Sequence, residues 1–196
     1  LAGEATDPAS FPVLDIGAGT GRNSLALARR GHPVDAVEMT EKFAEIIGGE
    51  AQRESLNVRV LQRDVFAATE DLRDDYQLVL LSEVVSDFRN TDQLRRIFEL
   101  AARVLAPGGR LVFNTFLARG GYTPDNAARE LGQQTYTSIF TYPEVAAAAA
   151  MLPLELVSDE SVYDYEKEHL PIEMRWLVYR KADWHMAPKG DGPSRW

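Results

Sequence analysis

The chain has 196 residues and a formal charge of -9, with 45% hydrophobic and 26% charged residues. That size and mixture imply one globular domain with a full core, and they exclude a collagen, a coiled coil or a disordered chain. So acidic a surface is a poor match for nucleic-acid phosphates or an anionic membrane, and neither is an expected partner.

Phe11–Ile16 reads as a first strand, leading through a glycine-rich turn into a short Ala/Leu helix from about Arg22. Gly31 sits where that helix should end. Val34–Val37 is a second strand, followed from about Glu41 by an amphipathic helix carrying Phe43, Ala44, Ile46 and Ile47. Val58–Leu61 and Gln77–Leu81 are the third and fourth strands. From Thr91 to Leu105, apolar residues recur at Leu94, Ile97, Phe98, Ala101, Val104 and Leu105, the spacing of one buried helix face. Pro107-Gly108-Gly109 stops that helix and turns into a fifth strand, Arg110–Thr115. The next stretch holds Gly120-Gly121, a short helix near Pro124–Leu131 and a Thr/Tyr-rich run, Gln134–Phe140. Thr141-Tyr142-Pro143-Glu144 matches a capping box with proline in the first turn, opening an alanine-rich helix to about Met151. Leu154–Asp164 and Glu173–Lys181 close as strands. Apolar runs that alternate with helical patterns predict an α/β fold whose parallel sheet is covered on both faces.

Zero cysteines remove disulfides, thiolate metal sites and a cysteine nucleophile, and fit a cytoplasmic protein. Runs such as Ala146–Leu154 are far short of a membrane span, and no signal peptide opens the chain. Beginning at Leu1 rather than Met, the sequence is expected to be part of a longer chain.

Chemistry concentrates in Val13-Leu14-Asp15-Ile16-Gly17-Ala18-Gly19-Thr20-Gly21-Arg22-Asn23. A strand that ends in GxGxG and enters a helix brings backbone N–H groups close to a ligand, because glycine puts no Cβ in the way. Glu38 ends the next strand, where a carboxylate accepts hydrogen bonds from both hydroxyls of a ribose. Asp64 follows the third strand with Val65 and Phe66 behind it, an acceptor and apolar flanks suited to an adenine. Asp15 has two readings: hydrogen bonding to the loop or to a cofactor amino group, or capping of the helix start. The rival is a dinucleotide-binding oxidoreductase using NAD. Its GxGxxG fingerprint needs a third glycine at position 22, and Arg22 stands there.

Together these residues resemble the class I S-adenosylmethionine-dependent methyltransferases from Phe11 to about Lys181. The glycine motif, Glu38, Asp64, the segment Gln77–Glu83 and the helix-stop-strand Leu105–Phe113 carry the resemblance. Gly21-Arg22-Asn23 points within the family to the small-molecule and tellurite-resistance-type branch. The resemblance implies a Rossmann-like, doubly wound, mostly parallel seven-stranded sheet with an antiparallel final strand. It also implies S-adenosyl-L-methionine as cofactor, held by Asp15, Gly17, Ala18, Gly19, Arg22, Asn23, Glu38, Met39, Asp64, Val65, Phe66 and Ser82. Direct methyl displacement onto a small-molecule acceptor needs no metal. A relative that keeps the fold without the activity is the alternative.

On the acceptor side, Ser82-Glu83-Val84-Val85 lacks the Pro-Pro-Tyr motif used for planar nitrogens. Glu83, Asp87 and His169 are the candidate bases, set against ordinary roles as solvated acids or a surface histidine. His32 follows a helix end, where a structural role is expected, and His185 lies in the tail; three histidines so scattered make no metal site. Tyr122 and Tyr136 are candidate substrate contacts, or members of the insertion's own small core. The expected organisation is a domain over 1–182, with 117–142 as a substrate cover, and a tail over 183–196.

Overall fold

Five apolar runs form parallel strands: β1 (Val13–Ile16), β2 (Val34–Glu38), β3 (Val58–Gln62), β4 (Tyr76–Leu81) and β5 (Leu105–Ala118). The computed structural model describes residues 7–67, 70–119, 121, 123, 125–135, 138–162 and 172–183, with the backbone alone for 126–128 and 133. Tyr122, Tyr136, His169 with the loop around it, and the tail 184–196 with His185 lie outside the described residues. Two closing strands, β7 (Leu154–Ser161) and β8 (Ile172–Lys181), complete a sheet of order β3-β2-β1-β4-β5-β8-β7. β8 runs antiparallel to both β5 and β7. The doubly wound sheet with its antiparallel final strand is therefore present.

An eighth strand was not expected. β6 (Ile139–Phe140) lies in the Thr/Tyr-rich run and pairs in parallel with Phe116 and Leu117 of β5. β4 bonds β5 only as far as Phe113, while β5 continues to Ala118. Beyond Phe113, backbone groups on the edge of β5 away from β8 would cost free energy if buried without partners, and β6 supplies partners at Phe116 and Leu117. Two residues are too few for a periodicity signal.

Helices α1 (Arg22–Ala28) and α2 (Glu41–Arg53) cover one face near β1, β2 and β3. α3 (Thr91–Val104) and α5 (Tyr142–Ala149) cover the other, burying Leu94, Phe98, Ala101, Val145 and Ala148 against Val79, Phe113 and Leu117. α4 (Asn126–Thr135) lies in the insertion after β5. Of the four apolar residues assigned to α2, Ala44 and Ile47 are buried, but Phe43 and Ile46 are exposed. The tripeptide Pro107-Gly108-Gly109 lies within β5 rather than before it. Pairing steps from Tyr76↔Leu105 to Leu78↔Arg110, so these residues form a bulge after α3 has ended. At Gly109 a Cβ would come within 2.8 Å of the Tyr76 carbonyl oxygen, so the bulge needs a glycine.

Both halves of the Thr141–Glu144 capping box form: Thr141 Oγ1 accepts from Glu144 N–H, and the Glu144 carboxylate accepts from Thr141 N–H. His32 is buried, with Nδ1 3.2 Å from the Phe11 carbonyl and its ring edge-on to Phe11. Among the described residues no helix is long and apolar enough to cross a membrane.

Candidate active site

The turn from β1 to α1 is held from below and from the side. Gly17 and Ala18 both donate their N–H groups to the Val37 carbonyl, at 2.8 and 3.2 Å. Gly19 N–H donates to Glu38 Oε2 at 2.8 Å, and Gly21 N–H to the Ala18 carbonyl at 2.9 Å. Gly17 has φ +66°, and a Cβ there would lie 2.5 Å from Val84 Cγ2. Glycine is required at this position on both counts.

A cleft of about 480 Å³ opens beside this turn, at the carboxyl ends of β1, β2 and β4. Gly17, Glu38, Met39, Asp64, Val65, Phe66, Glu83 and Asp87 all line it. Glu38 is buried and has one oxygen on each of two amides, Gly19 and Thr40, both at 2.8 Å. A carboxylate offers about four acceptor positions, so this anchoring leaves room for two more donors. Asp64 accepts from Phe66 N–H at 2.9 Å, closing a turn that sets the Phe66 ring beside Phe88. The Arg96 guanidinium stacks on Phe66, 4.1 Å from its centroid.

The opposite wall starts where β4 ends. Glu83 has φ +62° and points to the rim, where Arg22 approaches it at 3.4 Å; both side chains are mostly exposed. Asp87 sits in a single 3-10 turn, Val85–Asp87, and burial raises its carboxyl above the ordinary aspartate range. Its N–H donates to the Val84 carbonyl at 2.9 Å, and its carboxylate has no hydrogen bond or ion pair among the described residues. Arg63 and Arg89 are the cleft's two guanidiniums, against four carboxylates. Arg63 pairs with Asp71, which is outside the lining.

Several residues assigned to the cofactor do not line the cleft. Asp15 lies beneath the glycine turn and accepts from the Ser24 hydroxyl at 2.6 Å, a side-chain bond to the first turn of α1. Burial pushes its carboxyl up to about 6. Ala18 packs into the core with Leu25 and Ile47. Gly19 is turned toward Glu38, and Asn23 is half-buried on α1. Arg22 donates to Ser82 Oγ at 3.3 Å, so these two join α1 to the end of β4 beside the cleft.

Sequence reasoning missed Val84 and Asn114. Asn114 is buried in β5, and its Oδ1 accepts from Glu83 N–H at 2.6 Å. The available signal was an amide inside the apolar run Leu111–Phe116. Farther along, a second cavity of about 600 Å³ lies between Arg119, Arg129, Glu144 and Glu173. Its guanidiniums already meet carboxylates: Arg119 on Glu173 at 3.3 Å and Arg129 on Glu144 at 2.8 Å.

Residues 13–109 match the family model described as a methyltransferase domain. A ubiquinone biosynthesis O-methyltransferase of Coxiella burnetii is 29% identical over 103 residues, covering 53% of this chain and 42% of that protein. A Haemophilus influenzae protein named as a probable S-adenosyl-L-methionine-dependent methyltransferase TehB is 31% identical over 87 residues, 44% of this chain and 29% of its own length. The chain thus spans less than half the length of the curated relatives it matches. In fold it is similar to geranyl diphosphate C-methyltransferase from Streptomyces coelicolor A3(2), solved with Mg2+, geranyl diphosphate and S-adenosyl-L-homocysteine. That likeness has a TM-score of 0.71 at 17% identity and covers 88% of this chain and 74% of the other.

Proposed function

Since its domain over residues 13–109 makes this chain a member of the class I methyltransferase family, we propose that it binds S-adenosylmethionine in the cleft and transfers the methyl group to a small-molecule acceptor. The single observation that carries the reading is how the glycine turn is bonded. A dinucleotide's pyrophosphate needs free N–H groups on that turn. Here the amides of Gly17, Ala18, Gly19 and Gly21 are already bonded to Val37, Glu38 and Ala18. The same cleft faces its ligand with four carboxylates and two guanidiniums. A surplus of carboxylates suits a sulfonium cation and repels a pyrophosphate.

The cofactor supplies an activated methyl group on a sulfonium, which leaves as a neutral thioether. Glu38 accepts from the ribose hydroxyls, and Asp64 with Val65 and Phe66 receives the adenine. Gly17 lets the ligand approach the backbone closely. Because the leaving group is already good, the chain's main contribution is alignment, worth roughly 7–11 kcal/mol. Asp87 is the better of the two acids for taking the acceptor's proton. Its carboxylate faces the cleft with no partner among the described residues, whereas Glu83 meets Arg22 at the rim. His169, Tyr122 and Tyr136 remain proposed acceptor contacts. The net charge of -9 supports a small acceptor over DNA or RNA.

Titration calorimetry with S-adenosylmethionine, S-adenosylhomocysteine and NAD, followed by a labelled-methyl screen of metabolites, tests the proposal. Micromolar binding of the first two and transfer to a small molecule is the expected result. Tight NAD binding, or preferential methylation of bulk tRNA, would overturn it.

A further inference from the structure

We propose that Asn114 is a positioning residue for the cofactor site: it holds Glu83 in the left-handed conformation that presses Val84 against Gly17. The inference rests on the cofactor reading above.

The parallel ladder between β4 and β5 ends at Leu81↔Phe113. Two residues later the chain turns out of the sheet at Glu83, with φ +62°. The Glu83 side chain bonds Arg22 rather than its own backbone, so nothing local favours the left-handed conformation, which is uncommon outside glycine. The Asn114 side chain holds it, one residue beyond the last ladder pair, by accepting from Glu83 N–H at 2.6 Å. Its own orientation is set from β8, where Asn114 Nδ2 lies 3.8 Å from Met174 Sδ. Asn114 is 4% exposed, so water is a poor substitute for the amide.

Two things follow from the turn. Val84 comes to rest on Gly17, close enough that a Cβ on the glycine would overlap it. Glu83 is carried to the rim, where it meets Arg22 from the start of α1. One buried amide in β5 thereby ties the floor and the rim of the cleft to the sheet, without lining the cleft itself.

Titration with S-adenosylhomocysteine and thermal unfolding test this together. Asn114→Ala should weaken binding about ten-fold, the scale of strain at one left-handed non-glycine residue. Glycine adopts that conformation unaided, so on a Glu83→Gly background the Asn114→Ala loss should shrink to about two-fold or less. A loss that stays near ten-fold on the glycine background, or no loss on either background, overturns the proposal. Should Asn114→Ala fail to fold, Glu83→Gly alone decides. Its melting temperature should equal or exceed the parent's, and a fall of about 4 °C or more would show an unstrained position and overturn it. If the parent does not bind S-adenosylhomocysteine, the cofactor reading fails by itself, and the melting temperatures of Asn114→Ala on the parent and Glu83→Gly backgrounds still decide the role of Asn114: a fall confined to the parent background supports it, and an equal fall on both overturns it.

Discussion

On one wall of the cleft, Glu38 places an oxygen on each of two backbone amides and Asp64 closes a turn on Phe66. On the other, the Asp87 carboxylate has no partner among the described residues and Glu83 meets one exposed guanidinium. The first arrangement fixes the orientation of both carboxylates through backbone amides. The second leaves Asp87, an exposed residue, with its carboxylate unpaired among the described residues, and partial burial keeps it more basic than an ordinary aspartate. Under the proposed function, a binding wall and a reacting wall ask opposite things of the same functional group.

Variants of single carboxylates break or sharpen that contrast. The largest effect is expected at Asp87. With a hydroxyl acceptor, Asp87→Asn should lower kcat about a hundred-fold while S-adenosylhomocysteine affinity stays within about three-fold. The parent's kcat should fall on the acid side through an ionisation above the ordinary aspartate range, as burial directs, and the variant should lack that limb. Full turnover by Asp87→Asn would mean that the acceptor needs no base. Next in size is Glu38→Ala, which removes hydrogen bonds to a charged acceptor worth about 1.5–3 kcal/mol each and frees the Gly19 amide. Calorimetry should show at least about a ten-fold loss of affinity with the fold intact, and unchanged binding would remove Glu38 from the site.

Gly17→Ala tests the floor between the two walls. A Cβ 2.5 Å from Val84 at φ +66° should cost roughly 2 kcal/mol in urea unfolding. Adding Val84→Ala should recover part of it, because the overlap goes while the backbone strain remains. The smallest effect is a slope. Asp15, beneath both walls, has its carboxyl raised from 3.8 to about 6 by burial. The folded state therefore holds the proton more tightly than the unfolded chain. Stability from this group is fully present below about pH 4, is lost as pH rises toward 6, and is level above that. Asp15→Asn should flatten stability between those limits in chemical unfolding at several pH values; an unchanged slope would assign it to other groups.

The five parallel strands and the helices between them were legible because long apolar periodicities dominate their segments. Glu38 and Asp64 were legible because one ends and the other follows a strand whose carboxyl end lies at the cleft. The capping box at Thr141 was readable from four residues, since its bonds are local. β6 was not, because it exists to pair an edge of β5 that becomes available only when β4 stops. Nor was Asn114, whose partner is 31 residues away in sequence. Chain order and pattern by themselves determined the α/β fold class, the glycine turn and the candidate carboxylates Glu38 and Asp64, each readable from its own strand and the residues just after it. Only the tertiary structure decided which of those residues face the cleft, that four of the turn's amides are already bonded, and that Val84 and Asn114 belong to its support. Those facts depend on strand register and on side chains meeting across β1, β4 and β5, and such meetings have no local signature.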